Sequence, residues 1–127
     1  IRYLKKGKKI ALLSYGITVS MAFELEKKFR EINKDVSVIC VHTIKPLDIK
    51  NILKILKSYE KVIIIEEHVP HGGLSSKVKE IAVDNLASAK IYSYTLQDQF
   101  IHFYGNHRQL LSRHGLDVNK IFTDLNG

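Results

Sequence analysis

Ile63-Ile64-Ile65-Glu66-Glu67-His68-Val69-Pro70-His71-Gly72-Gly73-Leu74-Ser75-Ser76 is the stretch on which the reading of this chain turns. A β-branched apolar run stops at two carboxylates, passes two histidines and a glycine pair, and resumes with helical spacing. That order predicts a strand buried on both faces, a tight polar turn and a helix N-terminus. In open α/β sheets, ligands and partners gather at the carboxyl ends of strands, where such turns lie.

Working outward, similar apolar runs recur at Ile10–Tyr15 and Val36–Val41, and a more polar one at Ile91–Tyr94. Val62–Ile65 is the most hydrophobic and belongs near the centre of a sheet, with Ile91–Tyr94 nearer an edge. Between them lie amphipathic segments. Val19, Ala22, Phe23, Phe29 and Ile32 mark the inner face of the first, with Thr18 or Ser20 as its cap and Glu24, Glu26, Lys27, Lys28, Arg30 and Glu31 outside. Ile49, Ile52, Leu53, Leu56 and Tyr59 define the second, behind Pro46 and an N-cap at Asp48. Leu74, Val78, Ile81, Ala82 and Leu86 define the third, starting at Gly73 or Ser75. After an irregular stretch rich in Phe100, Ile101, Phe103 and Tyr104, a short helix carries Leu110 and Leu111 and stops at Gly115. A terminal helix then follows an Asp117 cap. Alternation of strand and helix predicts βαβ units, hence a three-layer α/β/α sandwich built as a single domain over residues 1–127.

The 127 residues carry 20 basic and 13 acidic side chains, a net charge of +7. The basic residues are spread along the chain; Lys50, Lys54 and Lys57 read as a solvated helix face, and only Lys5-Lys6-Gly7-Lys8-Lys9 is a cluster. Without aromatic interleaving this argues against nucleic acid. No apolar run spans a bilayer and no signal-peptide pattern opens the chain, so membrane partners are not expected and a cytoplasmic location is. The single cysteine excludes an internal disulfide. Opening on Ile1 instead of Met, the chain reads as a piece of a longer protein.

The candidate chemistry is thin. Glu66 and Glu67 point to opposite faces of a strand end, so they do not form a facing acid/base pair. One is expected to be buried and hydrogen-bonded, the other a loop or interface contact. His68 and His71 are too few for a metal site. Gly72 and Gly73, ahead of a helix bearing Ser75 and Ser76, either present backbone N–H groups to an anion or permit a tight turn; both readings use the same geometry. Neither a Walker loop nor a dinucleotide fingerprint is present. Cys40 reads as a buried, inert thiol. No catalytic, cofactor-binding or metal-binding residue is assigned. The candidate site is a turn for an anion or for a domain or subunit interface: Glu67, His68, His71, Gly72, Gly73, Ser75 and Ser76.

The blocks His42-Thr43-Ile44-Lys45-Pro46-Leu47-Asp48 and Glu66-Glu67-His68…Gly72-Gly73-Leu74-x-Ser76, with the Gly115-Leu116-Asp117 ending, resemble the C-terminal domain of transketolase-type thiamine diphosphate enzymes. That family includes transketolase, 1-deoxyxylulose-5-phosphate synthase and the β subunit of 2-oxoacid dehydrogenase E1, and the sequence looks most like transketolase. The resemblance implies a mixed five-stranded sheet with one antiparallel edge strand, for which Arg2–Leu4 is the candidate. It implies a parent enzyme that transfers two-carbon ketol units between sugar phosphates, with thiamine diphosphate and a divalent metal bound by other domains and none bound by this chain. The domain's role would be to support the homodimer and the active-site architecture through contacts with other domains or subunits, across an apolar patch including Val69, Leu74, Phe100 or Phe103. The family often has Gly where Ser75 stands, and a Cβ there restricts close backbone approach. The reading from a different class is a freestanding small-anion-binding regulatory module.

Overall fold

The computed structural model describes residues 1–16, 18–42, 46–67, 73–94 and 118–126. Five strands form one sheet: β1 (Arg2–Lys5), β2 (Ile10–Ser14), β3 (Val36–Cys40), β4 (Lys61–Ile65) and β5 (Lys90–Tyr94). Their spatial order is β1-β3-β2-β4-β5. β1 runs antiparallel to β3 at one edge, while β2 pairs parallel with both β3 and β4, and β4 with β5. The antiparallel edge and the mixed five-stranded sheet are as the resemblance implies. β4 is interior beside the central β2, and β5 is the other edge.

Helices α1 (Thr18–Glu31), α2 (Ile49–Ser58), α3 (Leu74–Asp84) and α4 (Val118–Asn126) cover the two faces. Ala11, Leu13, Ile39, Val62 and Ile64 pack with α2 and α3, whereas Leu12, Val38, Ile63 and Ile65 pack with α1 and α4. The alternation follows from the two-residue repeat of a strand, and it explains why these strands read as continuous apolar runs.

α1 presents a different face from the one its sequence suggests. Met21, Ala22, Leu25 and Phe29 are buried, together with Glu26, while Phe23 and Ile32 are each 40% exposed. Glu26 is inside because β1 brings Lys5 to it; the carboxylate also lies 3.5 Å from Arg30 Nε. Neither Thr18 nor Ser20 is positioned as a simple cap: Thr18 Oγ1 sits 2.8 Å from the carbonyl oxygens of both Tyr15 and Ile65, tying α1 to β4. Asp48 caps α2 as its position predicts, accepting from the Asn51 N–H at 3.1 Å. Lys50, Lys54 and Lys57 are exposed on α2's outer side, while Ile49 is 57% exposed, ahead of the turn where the helix meets the sheet. Leu86 leaves α3's buried face because the helix ends at Asp84 and Leu86 adopts φ +52°. Cys40 is half-buried, not buried, with Sγ 3.8 Å from Nδ1 of exposed His42. Among the described residues no helix is long and apolar enough to cross a membrane. The expected helix at Leu110 and Leu111, its Gly115 stop and the Asp117 cap lie outside the described residues.

Candidate functional site

The strand order fixes where a site can form. From β2 the chain crosses through α1 on one face to β3, and from β4 it crosses through α3 on the opposite face to β5. The carboxyl ends of adjacent β2 and β4 are therefore the topological switch point, the place where an open α/β sheet leaves a crevice. Ser14 pairs in register with Ile65, so the next residues, Tyr15 and Glu66, leave the sheet side by side.

Glu66 is fully buried. Its Oε2 accepts from the Tyr15 hydroxyl at 2.9 Å and from the Leu74 N–H at 2.8 Å, and its Oε1 accepts from the Ser75 N–H at 2.9 Å. The side chain caps α3 from across the turn, so two N–H groups that a helix start leaves open are satisfied by a carboxylate placed at the positive end of the dipole. The backbone of Glu66 is held as well, its N–H donating to the Tyr94 carbonyl at 3.1 Å. Burial first, then the hydrogen bond and charge of Glu66 and the charge of Glu67, push the Tyr15 phenol well above its ordinary range. Tyr15 is thus a proton donor to the carboxylate at every physiological pH.

Of the candidate residues, Glu67 is half-buried at the start of the turn, Gly73 is the buried N-cap of α3, Ser75 is 2% exposed and Ser76 is half-buried. Gly73 has φ −91°, a conformation open to any residue, so its backbone does not require glycine. The Cβ of Ser75 does not keep its N–H from Glu66. His68, His71 and Gly72 lie outside the described residues. Leu74 is buried in the core and is not part of an exposed apolar patch; Val69, Phe100 and Phe103 lie outside the described residues. Glu66 is the carboxylate that is buried and hydrogen-bonded, as expected of one of the pair, and Glu67 is half-buried. Tyr15 was missed by sequence reading. Its signal was the end of β2, one residue beyond the run that pairs with β4.

This arrangement ties the end of β4 to the start of α3. A carboxylate with three donors on it is neither a free base nor a nucleophile. The N–H groups of Leu74 and Ser75, which an anion or diphosphate at this helix start would use, are already engaged. Among the described residues no group of three His, Cys, Asp or Glu side chains could hold a metal ion. At the start of α3, then, the Leu74 and Ser75 N–H groups are not free for the diphosphate of a cofactor.

Fold and site together define an α/β domain whose switch point is closed by its own carboxylate. The chain belongs to the transketolase C-terminal domain family, whose model, "Transketolase, C-terminal domain", matches residues 1–121. It is 37% identical over 119 residues to a 1-deoxy-D-xylulose-5-phosphate synthase of Geobacillus sp., covering 93% of this chain and 19% of that protein. It is 31% identical over 121 residues to one of the subunits of apulose-4-phosphate transketolase from Actinobacillus succinogenes, covering 95% of this chain and 39% of that one. The fold is that of a split-gene transketolase solved as an inactive β4 tetramer, with a TM-score of 0.83, 23% identity, and 98% and 39% of the two chains covered. The chain thus spans between about a fifth and two fifths of these relatives.

Proposed function

We propose that this single domain, residues 1–127, is the C-terminal part of a thiamine diphosphate-dependent enzyme that transfers two-carbon ketol units between sugar phosphates. Thiamine diphosphate and its divalent metal are held by the enzyme's other domains or subunits, in an intact cytoplasmic homodimer. The supporting observation is the switch-point carboxylate. Where α/β enzymes of this topology place a ligand, this chain places Glu66, which ties the end of β4 to the start of α3 on either side of the turn expected over residues 67–73. That turn, with His68, His71, Gly72, Ser75 and Ser76, is then a docking element for a neighbouring domain or subunit.

A second reading, that the parent is a 1-deoxy-D-xylulose-5-phosphate synthase, is favoured by the 37% identity to the Geobacillus protein. One reconstitution separates the two. The 127-residue chain is combined with the remaining domains of its parent, and thiamine diphosphate-dependent turnover is measured with two assays, ketol transfer between sugar phosphates and formation of 1-deoxy-D-xylulose 5-phosphate. Turnover that needs both parts supports the domain role, and the product chooses the enzyme. Turnover by the chain alone would sink the proposal.

A further inference from the structure

The pole of the sheet opposite the switch point carries a feature invisible in the linear sequence. Lys8 and Lys9 precede β2, Lys34 precedes β3, and Lys61 and Lys90 begin β4 and β5. Backbone hydrogen bonds join these strand starts directly. The Lys9 carbonyl accepts from the N–H groups of Glu60 at 2.8 Å and Lys61 at 3.1 Å, the Glu60 carbonyl accepts from Lys90 at 2.9 Å, and Lys8 donates to the Asp35 carbonyl at 3.1 Å. Lys61 and Lys90 are register partners. Neighbouring strands are about 4.8 Å apart, so the lysines form a row along the amino edge of the sheet.

Lys8, Lys9, Lys34 and Lys61 line one cavity of about 440 Å³ with only Asp35 and Glu60 opposing them. Among the described residues neither carboxylate pairs with any of these lysines; the ion pairs there are Lys5 and Arg30 with Glu26. Nor do their ammonium groups cap helix ends among the described residues, where backbone N–H groups, that of Lys34 included, take the terminal carbonyls. The Phe29 carbonyl takes the N–H groups of Ile32 and Lys34, Ile55 takes Tyr59, and Ile81 takes Asn85. Lys9 moreover stands at φ +66°, a left-handed conformation in which glycine is relaxed and lysine is not. A charged side chain is held there against the local backbone preference.

We propose that this lysine-lined cavity binds a linear oligophosphate, the triphosphate chain of a nucleotide or of inorganic tripolyphosphate. Lysines set at neighbouring strand starts around one cavity suit a chain of successive phosphates, whereas a lone orthophosphate engages fewer of them. No aromatic side chain lines the cavity, so the stacking platform that single-stranded nucleic acid requires is missing.

The test is calorimetric titration of the 127-residue chain, in low salt, with sodium tripolyphosphate, ATP without added metal, and orthophosphate. Saturable one-to-one binding of tripolyphosphate at least about tenfold tighter than orthophosphate is expected, from several surface charges acting together, weakening as salt rises. Equal affinity for ATP means that only the phosphates are read; tighter ATP binding means the nucleoside adds contacts. Lys9→Gly should weaken binding about fivefold, the effect of one charge near contact distance in water, with an unchanged or raised unfolding midpoint that excludes misfolding. Lys50→Gln with Lys54→Gln, on the solvated face of α2, should leave binding intact. Absence of saturable binding, equal loss in the α2 control, retained affinity in Lys9→Gly, or tighter binding of a single-stranded RNA than of tripolyphosphate would each overturn the assignment.

Discussion

Replacing Glu66 with Gln keeps the shape of the side chain and removes its charge and one acceptor. In the native chain all three donors, Tyr15 Oη, Leu74 N and Ser75 N, point at an oxygen. With an amide, one end becomes NH2. If that end faces Ser75, two donors confront each other in a buried site; if it faces Leu74, Tyr15 can rotate to accept but Leu74 cannot. Either way one buried N–H loses its partner, a cost of about 1–3 kcal/mol, and the surviving bonds lose charge assistance worth about 1 kcal/mol more. The expected loss is about 2–4 kcal/mol, a large share of the roughly 5–15 kcal/mol that holds a domain together. At this chain length it lowers Tm by about 10 °C. Urea and thermal unfolding give the total, and amide exchange gives the location, because Leu74 and Ser75 should lose protection before the β2–β4 core does. Tyr15→Phe removes one donor only and should cost about 1–2 kcal/mol, with a coupling of at least about 1 kcal/mol to the Glu66 change in a double-mutant cycle. A Glu66→Gln chain within about 0.5 kcal/mol of the parent, the range of an ordinary surface substitution, would refute the view that this carboxylate anchors α3.

The raised pKa of Tyr15 makes a signed pH prediction. The phenol titrates higher in the folded than in the unfolded chain, whose value is 10.0. Its contribution is therefore complete below pH 10 and declines above it as the unfolded state releases the proton first. Urea midpoints of native and Tyr15→Phe chains should keep a constant separation from pH 7 to 9 and converge above pH 10; parallel curves throughout would contradict the hydrogen bond. Ser14 and Ser37 are both fully buried, but Ser14 Oγ has no hydrogen-bond partner among the described residues, whereas Ser37 Oγ receives the Gly7 N–H at 2.8 Å and lies 2.7 Å from the Tyr59 hydroxyl. Ser14→Ala should thus be neutral or stabilising by up to about 1 kcal/mol, and Ser37→Ala destabilising by about 1–3 kcal/mol, because its partners are left unmatched; equal effects in denaturant titrations would defeat the distinction.

The sheet was legible because its chemistry is local. An interior parallel strand is apolar on both faces, and four of the five strands announce themselves in that way or by position. The helix faces were legible only where the periodic stripe is narrow. α2 reads correctly at Ile52 and Leu56, but α1 carries apolar side chains around much of its circumference, so Phe23 and Ile32 competed with Met21 and Leu25 for the inner face. Burial of Glu26 depended on Lys5, which lies 21 residues away in sequence and reaches it only because β1 joins the edge. The site followed the same rule. A buried, bonded carboxylate at the end of β4 follows from Glu66 alone; its partner Tyr15 requires the register of two strands 51 residues apart.

The two ends of the sheet thereby acquire different kinds of order. At the carboxyl end the strongest polar group is internally satisfied: Glu66 accepts from the chain's own backbone and from Tyr15, so its charge is largely committed before any partner arrives. A surface built on such a turn favours recognition by shape, because reorganising Glu66 to receive an anion would first expose two helix N–H groups and a phenol. At the amino end the balance is reversed. Lys9, Lys34 and Lys61 border a cavity in which, among the described residues, neither Asp35 nor Glu60 forms an ion pair with them, so an incoming anion would find uncommitted charge. The same parallel topology produces both poles, since it gathers strand ends on one side and strand starts on the other. What separates them is the placement of carboxylates: Glu66 is fixed within a hydrogen-bonded turn, whereas Asp35 and Glu60 leave the nearby lysines unpaired. Site-directed loss of Lys9 and Glu66 should accordingly affect ligand binding and fold stability in opposite proportion, a contrast that a single pair of titration and unfolding experiments can measure.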